Sequence, residues 1–244
     1  MKNSRKVRYV AAVGALAMLV IAAAPTTSAQ TFGPDSGMGM GHGMGRGMGR
    51  GMGMSPMVIS NGDPVAGSYI ATQVCGACHG VDGNSVQAAF PKLAGQKESY
   101  LYGQLRNFAS GARKNEIMAS IVGGLNDQSM QDAAAYFSRQ SGKPTATVPA
   151  KANARLAETG RALFSQGDPS RQIPACSMCH SDGPSVGRRA SFPLLQGQHA
   201  DYTEAQLVAL RNGTRTQAMM MPMIASRLSD GDIKAVAAYL AGAR

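Results

Sequence analysis

An all-α fold built twice in tandem is what this sequence predicts, and three observations carry the expectation. The pattern Cys-x-x-Cys-His occurs at Cys75–His79 and again at Cys176–His180, and the two copies use all four cysteines of the chain. The first motif and the landmarks downstream of it return in the same order 101 to 103 residues later. Both copies carry apolar residues at helical spacing, and neither shows a convincing period-2 strand pattern.

Residues 1–29 read as a secretory leader. Lys2, Arg5, Lys6 and Arg8 precede an uncharged, mostly apolar run of 15 residues from Val10 to Ala24. A membrane-spanning helix needs roughly 20, and Thr27-Ser28-Ala29 supplies small residues for cleavage after Ala29. Retention as an uncleaved anchor is the alternative. Residues 30–60 contain GMGMGHGMGRGMGRGMGM, Gly37 to Met54, a biased stretch with no core to fold around. Met thioethers suit Cu(I) and His42 could join them, but composition alone fixes no coordination geometry. The segment therefore reads as a flexible tether.

The repeated unit follows, as 61–143 and again as 154–244. FPKLAGQ (Phe90–Gln96) returns as FPLLQGQ (Phe192–Gln198), Tyr100 as Tyr202, and Gln104-Leu105 as Gln206-Leu207. The GAR turn ending at Arg113 becomes the GTR turn ending at Arg215, Leu125 matches Leu228, and AAYF at Ala134 matches AAYL at Ala237. Between the units, residues 144–153 hold Pro144 and Pro149 and read as an extended linker.

Each unit closes on an amphipathic helix. Ser229 and Asp232 have the spacing of a capping box, and Ile233, Val236, Ala237 and Leu240 share one face. Met130, Ala133, Ala134 and Phe137 do the same in the first unit. NARLAETGRALFSQG is a further helix stopped by Gly167, and Ser185 to Pro193 reads as loop. Gly67 with Tyr136, and Gly160 with Tyr239, mark an expected close crossing of first and last helices.

The formal charge is +10, of which the leader's four basic residues leave +6 on a mature chain. The first unit carries seven basic and six acidic residues, the second ten and seven. Such asymmetry orients docking on an acidic partner or an anionic membrane surface. Nucleic acid is excluded as a partner class, since no basic, aromatic-interleaved motif is present.

An exported chain keeps disulfides, so two structural bridges would explain the cysteines but not the histidines. Cys-x-x-Cys-His is the signature of c-type haem attachment: Cys75 and Cys78, and Cys176 and Cys179, bond to porphyrin vinyl groups, while His79 and His180 face the iron. Two haem c groups then complete cores that a tryptophan-free domain of this size struggles to fill. A four-cysteine zinc ribbon spaces its pairs by roughly 15 to 20 residues, whereas Cys78 and Cys176 are 98 apart. A redox dithiol has no need of a histidine at the same place twice.

Elimination narrows the sixth iron ligand. Every thiol is used, and His199 aligns with Lys97, so it stands outside the repeated chemistry and reads as an exposed residue at a helix start. Methionine remains. Met118 lies seven residues before Leu125 and Met221 seven before Leu228, a spacing that Met130, Met219, Met220 and Met223 do not share. Pro222 would stiffen an extended loop carrying Met221. Arg113 and Arg215 are candidate partners of haem propionates, since a guanidinium forks onto a carboxylate; the alternative is a solvated turn residue.

The paired motifs, the FPxLxGQ segments, the GxR turns, MPMIASRLSD and the closing helices together resemble the dihaem cytochrome c4 family. The resemblance spans nearly all of 61–244. It implies two class I cytochrome c domains, each a small helical bundle around a covalently attached haem with His/Met iron, facing each other across a pseudo-twofold interface near the propionates. It also implies a soluble or membrane-associated periplasmic carrier between a quinol-oxidising complex and a terminal oxidase. With both axial positions filled, carriage without catalysis is expected. The alternatives are the cytochrome subunit of a periplasmic dehydrogenase, or a dihaem peroxidase or thiosulfate dehydrogenase with an exchangeable iron site. The first unit departs from the family with IMASIVGGL where Met-x-Pro is usual, and the Gly/Met tether has no counterpart there.

Overall fold

The computed structural model describes residues 61–143, 154–181, 192–218 and 220–243. The leader, the Gly/Met segment, the linker, Met219 and most of the Ser185–Pro193 loop lie outside the described residues. Among those described, the regular elements are helical, apart from one isolated bridge between Asp168 and Ile173.

In the first half, α1 (Pro64–Ile70) begins where the Asp63 side chain accepts the Val65 N–H, with Pro64 in the first turn. It runs through a π turn, Ala71–Cys75, directly into α2 (Gly76–His79). Then come α3 (Glu98–Ala109), α4 (Glu116–Gly123) and α5 (Asp127–Ser138). The second half repeats the order with α6 (Ala154–Gln166), α7 (Ser177–His180), α8 (Ala200–Arg211), α9 (Met221–Ala225) and α10 (Asp230–Gly242).

Two features distinguish the halves. Gly67 lies eight residues before Cys75, but Gly160 lies sixteen before Cys176. The extra chain begins at Gly167, whose φ of 70° ends α6, and holds a 3-10 turn, Pro169–Arg171. Arg171 there binds Asp168 and Asp232 at 2.6 Å each, tying the insertion to the start of α10. Asp232 also closes the expected capping box with Ser229.

First and last helices cross at a glycine in each half. A Cβ on Gly67 would lie 2.0 Å from the Asp132 carbonyl oxygen, and one on Gly160 would lie 1.9 Å from that of Ala235. Tyr136 faces Gly67, and Gly160 meets the backbone of Ala235 and Val236. This contact buries the predicted faces: Met130, Ala133, Ala134 and Phe137 in α5, and Ile233, Val236, Ala237 and Leu240 in α10.

The methionine segments are helical rather than extended. Asn115 caps α4 by accepting the Met118 N–H at 2.8 Å, and Pro222 sits in the first turn of α9, where its missing N–H costs nothing.

Two outcomes follow from this packing. Gly160→Ala overpacks the crossing and should cost about 1–3 kcal/mol of unfolding free energy. Gly103→Ala, inside α3 with open space around it, should instead stabilise by about 0.5–1 kcal/mol. Denaturant unfolding followed by circular dichroism checks both.

The insertion clamp gives a pH dependence. Hydrogen bonds from Ser170 and Arg171 hold the Asp168 carboxyl down to about 2, and Arg171 with Ser229 holds Asp232 at about 2. In the unfolded chain both titrate near 4. A carboxyl whose pKa falls on folding stabilises the fold above its unfolded value, and that contribution drains away as pH falls toward 2. Arg171→Ala should therefore be less stable than the unmutated protein at pH 7, with the gap narrowing between pH 4 and pH 2.

Candidate haem sites

The four motif cysteines are unbridged. Burial pushes the Cys75 and Cys176 thiols up to about 11, the opposite of the depression that a redox dithiol requires. Each motif ends a helical run, so Cys75, Cys78 and His79, and likewise Cys176, Cys179 and His180, are presented within one turn of each other.

His79 and His180 are buried, and each Nδ1 lies 2.8 Å from a proline carbonyl, Pro91 for His79 and Pro193 for His180. A carbonyl only accepts, so Nδ1 carries the proton and Nε2 keeps its lone pair. Burial pushes both imidazoles below the ordinary histidine pKa, against the pull of the carbonyls. The result is a neutral, oriented imidazole, which is what a metal-ligating histidine needs.

The FPxLxGQ segments thus acquire a role that sequence reasoning used only as a repeat marker. Phe90 and Phe192 set their rings against His79 and His180 at centroid distances of 6.1 and 6.0 Å. Pro91 and Pro193 hold the imidazoles. Gly95 and Gly197 turn the chain at φ of 71° and 75° so that their N–H groups reach the closing helices at Phe137 and Leu240. Gln96 and Gln198 cross to the opposite half: each pairs its amide with the N–H and C=O of the residue after that half's proline, Leu194 and Lys92, at 2.8 to 3.0 Å. A signal was available in the sequence, because all four residue types recur at one offset of 102.

The two arginines also sit between the halves. Arg113 is buried over the Phe108 ring and donates to Gln104, Tyr202 and Gln206 at 2.6 to 2.8 Å. Arg215 mirrors it, donating to Gln206, Tyr100 and Gln104. Neither is the solvated turn residue weighed above. His199 departs from expectation in the same way: it is 4 % exposed, starts α8, and its Nε2 lies 2.9 Å from the Ser85 carbonyl of the first half. Its partner lies 114 residues away in sequence, which no local pattern announces.

Met118 is half-buried between exposed neighbours at 116, 117, 119 and 120. Met221 is likewise half-buried, while Met220 and Met223 are 51 % and 52 % exposed.

These residues fit haem c. Each half offers two unbridged thiols, a neutral imidazole with a free nitrogen lone pair, and a half-buried thioether. Arg215 Nε and Lys97 Nζ are buried without a hydrogen-bond partner among the described residues, which suits anionic propionates.

Residues 64–141 match the family described as Cytochrome c, and residues 155–240 match Cytochrome C oxidase, cbb3-type, subunit III. Cytochrome c4 of Stutzerimonas stutzeri is 42% identical over 198 residues, covering 76% of this chain and 91% of that protein. The chain belongs to the cytochrome c4 family. It is a dihaem electron-transfer cytochrome with two covalently bound haem c groups, in a tandem pair of cytochrome c domains. The crystal structure of reduced recombinant cytochrome c4 from Pseudomonas stutzeri superposes with a TM-score of 0.67 at 42% identity, covering 75% of this chain and 100% of that one. The thiosulfate dehydrogenase electron acceptor of Thiomonas intermedia (strain K12) is 42% identical over 172 residues, covering 68% of this chain and 77% of its own.

Covalent attachment is checked by denaturation. Unfolded protein should keep its haem stain on a gel, and the double variant Cys176→Ala, Cys179→Ala should retain half the haem. Haem extractable by acidic solvent would contradict this.

Proposed function

We propose that this cytochrome is a periplasmic carrier that accepts electrons from a quinol-oxidising complex and delivers them to a terminal oxidase or reductase. In this reading residues 1–29 direct export, residues 30–60 tether the protein, and domains at 61–143 and 154–244 each hold one haem. Cys75 with Cys78, and Cys176 with Cys179, form the thioether links. His79 and Met118 ligate the first iron, His180 and Met221 the second, and Arg113 and Arg215 neutralise propionates.

Bound haem supplies a one-electron Fe(III)/Fe(II) couple. The observation that carries the assignment is the duplicated lock, with each motif histidine donating Nδ1–H to a proline carbonyl and keeping Nε2 for the iron. The half-buried setting of Met118 and Met221 beside exposed neighbours supports the methionines. His/Met coordination raises the potential, which suits acceptance from quinol-linked donors, and occupies both axial positions, which suits carriage without catalysis. The excess of basic residues in the second half favours docking on an acidic partner there.

A second reading is the dedicated electron acceptor of a periplasmic dehydrogenase, favoured by the relative named for thiosulfate dehydrogenase. Copurification of an intact dehydrogenase complex from native cells would select it. The enzyme alternatives need an exchangeable iron site, and the paired methionines argue against one.

Met221→Ala should remove half of the sulfur-to-iron absorption of the oxidised protein and lower the potential of one haem. Met118→Ala should remove the other half, and Met223→Ala should do neither. Loss of half the band in Met220→Ala or Met223→Ala, with Met221→Ala unaffected, would move the ligand to that neighbour.

A further inference from the structure

The peptide group between Pro193 and Leu194 is engaged at both ends. Its carbonyl lies 2.8 Å from His180 Nδ1, and its N–H donates to Gln96 Oε1 of the other half at 2.9 Å. The peptide between Pro91 and Lys92 repeats this, with its carbonyl 2.8 Å from His79 Nδ1 and its N–H donating to Gln198 Oε1 at 2.9 Å. Each glutamine is anchored by a second bond, from its Nε2 to the carbonyl of Leu194 or Lys92 at 2.8 and 3.0 Å. Two chains of hydrogen bonds therefore run in opposite directions between the halves, each ending on a proximal imidazole.

Hydrogen bonds in series polarise one another through the amide between them. An acceptor on the N–H end makes the carbonyl oxygen more negative, so it pulls harder on Nδ1–H and makes Nε2 a stronger donor. A more basic imidazole favours the ferric ion over the ferrous one, because hydrogen bonding outside the ligand set is one of the levers on haem potential.

We propose that Gln96 and Gln198 are cross-positioning residues, each setting through one peptide group the hydrogen-bond strength at the opposite half's histidine, so that the potential of each iron depends on contact with the other half. This rests on the assignment of His79 and His180 as iron ligands. The consequence is communication that needs no movement of domains. Loosening of the interface by a docked partner would weaken both bonds to the peptide N–H groups and raise both potentials together.

The test replaces each glutamine with methionine in the full-length, haem-loaded protein, keeping the volume while removing the strong acceptor; Gln→Leu at the same positions is the second variant. Potentials are followed by the hyperfine-shifted proton resonances of each haem's own histidine during a redox titration. Gln96→Met should raise the potential of the second-half haem and leave the first in place, while Gln198→Met does the reverse. Exchange of the Nδ1 proton with solvent should quicken only in the histidine whose peptide lost its partner. Equal shifts at both haems, a shift confined to the mutated half, or no shift would overturn the relay. Absence of histidine-ring hyperfine resonances in the unmutated oxidised protein would overturn the ligand assignment as well.

Discussion

An imidazole has two nitrogens, and only one can be given to a metal while the other is held by the protein. In both halves that holding bond goes to a proline carbonyl, and much of the surrounding structure can be derived from the need to keep the carbonyl in place. The phenylalanine before each proline packs on the imidazole ring. The glycine after it turns the chain back so that the backbone reaches the closing helix. The closing helix is in turn fixed by its crossing with the first helix, which a single glycine permits at a separation no side chain would tolerate. The first helix runs through a π turn into the motif in the first half, and in the second half ends at Gln166, ten residues before Cys176. A ring of dependencies thus starts and finishes at the histidine.

The interface between the halves is built from the same segments. Two glutamines exchange amide pairings with the backbone beside each proline, and two arginines exchange hydrogen bonds with tyrosines and glutamines across the approximate twofold. Buried polar groups of this kind specify one docking register, since any other arrangement leaves several of them unpaired at about 1–3 kcal/mol each. The symmetry is incomplete where His199 reaches the Ser85 carbonyl and its counterpart Lys97 carries a buried ammonium without a partner among the described residues. The two halves thereby differ at matching positions, although their histidine locks match.

Much of the fold was legible because the information is local or repeated. Capping residues, i to i+4 apolar spacing and the two motifs announce α5, α6, α10 and the cofactor without any tertiary contact. The Met221 segment reads as extended because a proline is a loop signal, whereas at the first turn of a helix it is favourable. His199 was misjudged as exposed because burial depends on the loop around Ser85, more than a hundred residues away.

The amino-acid sequence by itself determined that two haem groups are attached covalently, since thioether chemistry needs only two thiols and a histidine at a fixed short spacing. It also determined that the units are helical and duplicated, because periodicity and repetition are properties of order along the chain. Only the tertiary structure decided what the FPxLxGQ and GxR segments do. Their partners lie from about ten to more than a hundred residues distant, on another element or in the other half, and a hydrogen bond between such groups exists only once packing has brought the two stretches of backbone together.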